Sequence, residues 1–281
     1  MQRVKKIIER IRNFNPGIWF LLIFFISLGL LVYIPRYMID GSFEVGANVN
    51  YASETYYFTV RWNKFLQIIT LGPVFGIVYY TLMRIMLGKV DKERGRNKYK
   101  VYLIEIGVLL FIALCSMGHL AHLGFEEVNA IDKTHGDALS SPYLEMFVNA
   151  WYMDEWFGHF TGLFSYFMYL VLAVLAESLI EDHKKLTFEQ LFLLLIAIIS
   201  IGFMDGDIGI ASESGFLLLL SHSIFTVIAI IFVIVKKIKL LEHPILLAMI
   251  LSIIPVLYFN IQFIIENGFY SMYPFYSANL S

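Results

Sequence analysis

The chain is predicted to be all-α, a polytopic membrane protein folded as a seven-transmembrane-helix bundle. Three observations predict this. Of its 281 residues 58% are hydrophobic and only 16% charged, a mixture too apolar for a soluble domain. Seven apolar stretches approach the roughly 20 residues that a helix needs to cross the hydrocarbon core. The strongly basic segments recur at every second connection, as the positive-inside rule expects. No stretch reads as the alternating strands of a membrane barrel. Backbone groups in hydrocarbon must be satisfied internally, so one bundle spanning 1–281 is the expected organisation.

The first span, about 18–35, follows a basic leader containing Lys5, Lys6, Arg10 and Arg12. The apolar run is too long for a signal-peptide core, and Pro35-Arg36-Tyr37 is no cleavage site, so the segment reads as a retained helix. The second span, about 65–87, contains Gly72-Pro73-Val74-Phe75-Gly76, which predicts a kink or a close helix contact. It is followed by Lys89, Lys92, Arg94, Arg96, Lys98 and Lys100. The third span, about 101–125, ends in His119, His122 and Glu126, and the fourth, about 151–178, opens with Glu155 and His159 and is followed by Lys184 and Lys185. Asp205 and Asp207 close the fifth span, about 187–204. His222 lies within the sixth, about 214–235, after which come Lys236, Lys237 and Lys239. The seventh runs from about 244 to 265.

The basic side is therefore cytoplasmic, with the N-terminus there and the C-terminus outside. The connections 36–64 and 126–150 read as outer loops, and Trp62, Trp151 and Trp156 as interface anchors. Glu105 and Glu177 lie near cytoplasmic helix ends, where a carboxylate can snorkel to water. Asn260 and Gln262 read as bonds between helices.

Composition also excludes some functions. Basic residues form no patch interleaved with aromatics, so nucleic acid is set aside. The lone Cys115 rules out an intrachain disulfide and a Cys-rich zinc site, so any metal here needs imidazole and carboxylate ligands.

Such ligands are clustered. His119, His122 and Glu126 are spaced i, i+3 and i+7 and share one helix face. Glu155 and His159 stand four apart, which stacks a carboxylate on an imidazole. His119, His159 and His222 each lie seven or eight residues inward of Glu126, Trp151 and Ser214, a depth of roughly 10–12 Å at the helical rise. Three imidazoles on three helices are thus expected at one level near the extracytoplasmic face, where ionisable groups are costly unless they pair, bind an ion or meet water. The expected ligands are His119, His159 and His222, with His122 as a fourth or alternative, and Glu155 and Asp205 as base or supporting carboxylates. His135, in the following loop, is a residue that can fold over the site. Zinc is the favoured metal, with iron, manganese or copper as alternatives.

The function expected from this set is metal-dependent hydrolysis of a lipid or amphipathic substrate at the outer leaflet. Two other classes use the same residues: a metal-ion or proton-coupled transporter, and a cofactor-binding subunit of a larger membrane complex. The membrane hydrolases that include alkaline ceramidases also combine seven helices with His and acid residues. They pair Ser-x3-His with His-x3-His on the last helix, whereas the seventh span here holds no histidine, so nothing is carried over from them. That span also lacks the lysine of microbial rhodopsins.

Overall fold

A computed structural model describes residues 14–49, 54–91, 98–135, 144–180, 183–211 and 214–268. Seven helices are long and apolar enough to cross a membrane, which makes the chain an integral multi-pass membrane protein. They are α1 (Pro16–Met38), α2 (Trp62–Val90), α3 (Lys98–His135), α4 (Val148–Glu177), α5 (Phe188–Ile208), α6 (Gly215–Lys236) and α7 (Pro244–Asn267). The basic residues 1–13 and 92–97, on which the expected orientation leans, lie outside the described residues.

Between α1 and α2, where an irregular loop was expected, stands an antiparallel hairpin of β1 (Ser42–Val49) and β2 (Glu54–Arg61), in register from Ser42 opposite Arg61 to Val49 opposite Glu54. Tyr56, Tyr57, Phe58, Thr59 and Val60 on β2 are good strand formers, yet Gly, Ser and Asn nearby give the segment the composition of a loop. Trp62 closes the base by donating its backbone N–H to the Gly41 carbonyl at 3.0 Å. The hairpin marks one end of the bundle.

The other end is fastened by polar side chains. Asn15 caps α1 by accepting from the Gly17 N–H at 2.9 Å, ahead of a proline in the first turn. Its amide donates to the carbonyls of Lys184 (2.7 Å) and Glu242 (3.3 Å), tying two connections to α1. Glu177 does not snorkel. It is buried at the foot of α4 and accepts from the N–H groups of Ile245 (3.1 Å) and Leu246 (3.0 Å), the orphan donors that open α7. Glu105 pairs with Arg84 of α2.

The core of α1, α2 and α4 is aromatic. Phe24, Phe75, Tyr79, Tyr166 and Tyr169 pack edge-to-face, stacked or, for Phe75 on Tyr79, tilted. Two phenols are satisfied by backbone: Tyr79 donates to the Phe24 carbonyl at 2.9 Å and Tyr169 to that of Tyr79 at 2.7 Å. Three spans contain a π-helical turn towards the hairpin end: Thr70–Val74 in α2, at the expected Gly-Pro distortion, Tyr152–Gly158 in α4 and Phe203–Ile208 in α5. A π-turn bonds i to i+5, so it holds one more residue than an α-turn and shifts every later side chain around the axis. The last span is interrupted at Ser252, three residues before Pro255, which has no N–H for the Leu251 carbonyl.

Candidate metal centre between α3 and α4

Glycine brings α3 and α4 together. A Cβ on Gly118 of α3 would stand 2.6 Å from the Gly162 nitrogen, and one on Gly158 of α4 would stand 2.8 Å from the His122 nitrogen. Gly158-x-x-x-Gly162 is a small-residue motif of the kind that lets helix backbones touch in a bilayer. Sequence reading passed over it, although it flanks His159.

Asp154, five residues before His159 in the π-turn, comes within ligand reach of it. Asp154 is 2% exposed and its Oδ1 lies 2.5 Å from His122 Nδ1. The rings of His122 and His159 stand 4.0 Å apart between centroids, tilted by 41°. His122, Asp154 and His159 can each offer one donor atom within 4.8 Å of the others, a spacing within reach of a single ion. The side chains of Glu155 and His135 lie outside the described residues.

Around this trio, Glu126 Oε2 lies 3.6 Å from His122 Nε2, one helical turn along α3, and pairs with Lys64 from the start of α2. His119 sits a turn deeper and is hydrogen-bonded through Nε2 to the Tyr166 hydroxyl at 2.9 Å. It backs the cluster. Lys64, Glu126 and Asp154 together carry one net negative charge when the imidazoles are neutral, which suits a cation at the described part of the site.

His222 and Asp205 form a different site. His222 is fully buried on α6, with Nδ1 3.0 Å from Asp205 Oδ2 on α5 and Nε2 3.0 Å from both the Met249 carbonyl and Ser252 Oγ on α7. Of the expected ligands, then, the structure gathers His122 and His159, sets His119 against Tyr166, and gives both nitrogens of His222 to other partners. Equal depth does not bring side chains together when the helices are rotated differently about their axes. Lys64, Tyr166 and Ser252 were not anticipated, and Asp154, expected to be solvated or to cap a helix near the interface, is buried. Only Asp154 had a local signal, its place beside Glu155 at the head of the fourth span.

No protein-family model, curated protein or solved structure matches this chain. The site stands on its own geometry.

The donor set fits a divalent metal. Two imidazoles and one carboxylate are the ligands of catalytic zinc sites that keep a fourth position open, and the same atoms suit iron or manganese.

Proposed function

We propose that this chain is a metal-dependent membrane enzyme, a hydrolase of lipid or amphipathic acyl or amide substrates, with zinc as the favoured ion held by His122, Asp154 and His159. The observation that carries the reading is the convergence of these three side chains, from two helices pressed together by Gly118 and Gly158, at the hairpin end of a membrane bundle. The positive-inside rule, applied to the basic segments of the sequence, supports reading that end as the extracytoplasmic one, with the N-terminus cytoplasmic.

A divalent ion bound there would supply a Lewis acid and lower the pKa of a coordinated water. The chain's own residues do the remainder. Glu126, beside His122 Nε2, is placed to take a proton from the attacking water and return it to the leaving group. Lys64 holds Glu126 in position through their ion pair. The Tyr166–His119 hydrogen bond seals the site from below.

The test is metal analysis of the purified protein beside His122→Ala, His159→Ala and His222→Ala. Stoichiometric metal that is lost in the first two and kept in the third supports the reading. A metal-free wild type, or metal retained by His122→Ala and His159→Ala, overturns it. Chelator-sensitive turnover of lipid esters and amides in reconstituted vesicles, lost in Glu126→Gln, then tests hydrolysis itself.

A further inference from the structure

A second polar site lies in the other half of the bundle, where α5, α6 and α7 meet. Asp205, His222, Ser252 and Asn260 are all completely buried. Asp205 belongs to the π-turn of α5, and Ser252 occupies the interruption of α7. The two helices are in close contact, because Gly202 and Gly206 of α5 face Pro255 and Phe259 of α7; a Cβ on Gly206 would stand 2.9 Å from the Phe259 ring. Phe167 of α4 covers the His222 ring at 5.4 Å between centroids. Among the described residues no other ionisable group forms a hydrogen bond or ion pair with Asp205 or His222.

The hydrogen-bond roles around this ring are constrained. The Met249 carbonyl, 3.0 Å from Nε2, can only accept, and it also accepts from the Ser252 hydroxyl at 3.0 Å. Nε2 donates to it in the arrangement where the Ser252 hydroxyl does too; the alternative, with that hydroxyl turned to Nε2 at 3.0 Å, sets the ring lone pair against the carbonyl oxygen and is disfavoured. On the far side Nδ1 faces Asp205 Oδ2, and an ionised carboxylate is likewise only an acceptor. A ring already protonated on Nε2 can bond Asp205 in two ways. Either Nδ1 is protonated too and the pair is imidazolium–carboxylate, or Asp205 is the carboxylic acid and donates to Nδ1. Both forms contain the same number of protons, one more than neutral imidazole beside ionised carboxylate, and both have zero net charge.

We infer that Asp205 and His222 form a proton-binding site that holds one proton between them, sealed among α5, α6 and α7 and separate from the metal cluster. Charge leads to the same state independently of the hydrogen bonds, since removing that proton would leave an uncompensated negative charge in a dry membrane interior. Asp205 Oδ1 has no partner in its buried position, a smaller penalty for the carbonyl oxygen of a neutral acid or a paired carboxylate than for an isolated anion. Both side chains are fully buried, so the pair is out of contact with bulk water in this structure. The ligand of this site is a proton and not a metal ion.

The inference is tested on the intact wild-type chain in nanodiscs at pH 7.5, by nitrogen NMR of labelled histidine and by infrared absorption of labelled aspartate. His222→Gln and Asp205→Asn serve only to assign the signals, and either one suffices. The expected result is a His222 ring with both nitrogens protonated, or a protonated Nε2 together with the carbonyl band of an un-ionised Asp205, lost in the assigning variant. A neutral ring protonated only on Nδ1 beside ionised aspartate overturns the inference, as does stoichiometric metal that disappears on His222→Gln. Because His122 and His159 take no part, failure here is distinguishable from failure of the metal reading.

Discussion

Gly158 of α4 lies against the backbone of His122 on α3, close enough that a Cβ would come within 2.8 Å of the His122 nitrogen. The obstacle is backbone, which cannot turn aside as a side chain can. Gly158→Ala should therefore force α3 and α4 apart and weaken metal binding by about 10- to 100-fold, the range seen when groups that support ligands are lost. Metal titration of the purified variant checks this. Gly72→Ala, where nothing lies within 4 Å of the added atom, should bind as wild type.

Asp154→Asn keeps the shape of the side chain and removes the charge that faces His122 Nδ1 at 2.5 Å. Metal occupancy should fall by about 10-fold or more, while thermal stability of the metal-free protein changes little. Equal metal content in the variant and the wild type would mean that Asp154 neither ligates nor orients.

Glu177→Ala should destabilise the bundle without touching the metal. It strands the N–H groups of Ile245 and Leu246 in a buried place, at roughly 1–3 kcal/mol for each unsatisfied group. A large drop in the melting temperature in detergent, with unchanged metal content before melting, is the expected pair of results.

Acid should loosen the end of the bundle opposite the hairpin. Outside the spans, the rings of His183 and His243 stack at 3.8 Å between centroids. Burial, joined for His183 by repulsion from His243, holds both below the usual histidine range. Their folded values lie under the unfolded value of about 6.5, so the unfolded chain binds more protons on the acid side. The contribution to stability is complete above about pH 6.5 and declines as pH falls through the lowered folded values. Melting temperatures measured from pH 8 down to pH 5 should fall, and His183→Asn should flatten that slope.

Much of the architecture was legible because length and apolarity suffice to mark a membrane span, and all seven predicted stretches coincide with helices. Their ends were less legible. The third helix runs on to His135, well past its apolar part, since nothing in the hydropathy separates a continuing helix from a loop. At the site, His122 and His159 were within reach of sequence reasoning, and the partner carboxylate was not. Counting by fours points from His159 to Glu155, whose side chain lies outside the described residues, and passes over Asp154, which the π-turn brings within reach. His222 shows the complementary failure: rise along the axis follows from the sequence alone, whereas which neighbour a side chain faces depends on how the helices are rotated in the bundle.

The three π-turns all lie towards the hairpin, while Asn15 and Glu177 lock the opposite end through capped helix starts and shared carbonyls. A surplus residue is a small reserve of slack, able to migrate along its helix without breaking the chain of bonds. The two imidazoles therefore meet where this slack is concentrated, away from the fastened end.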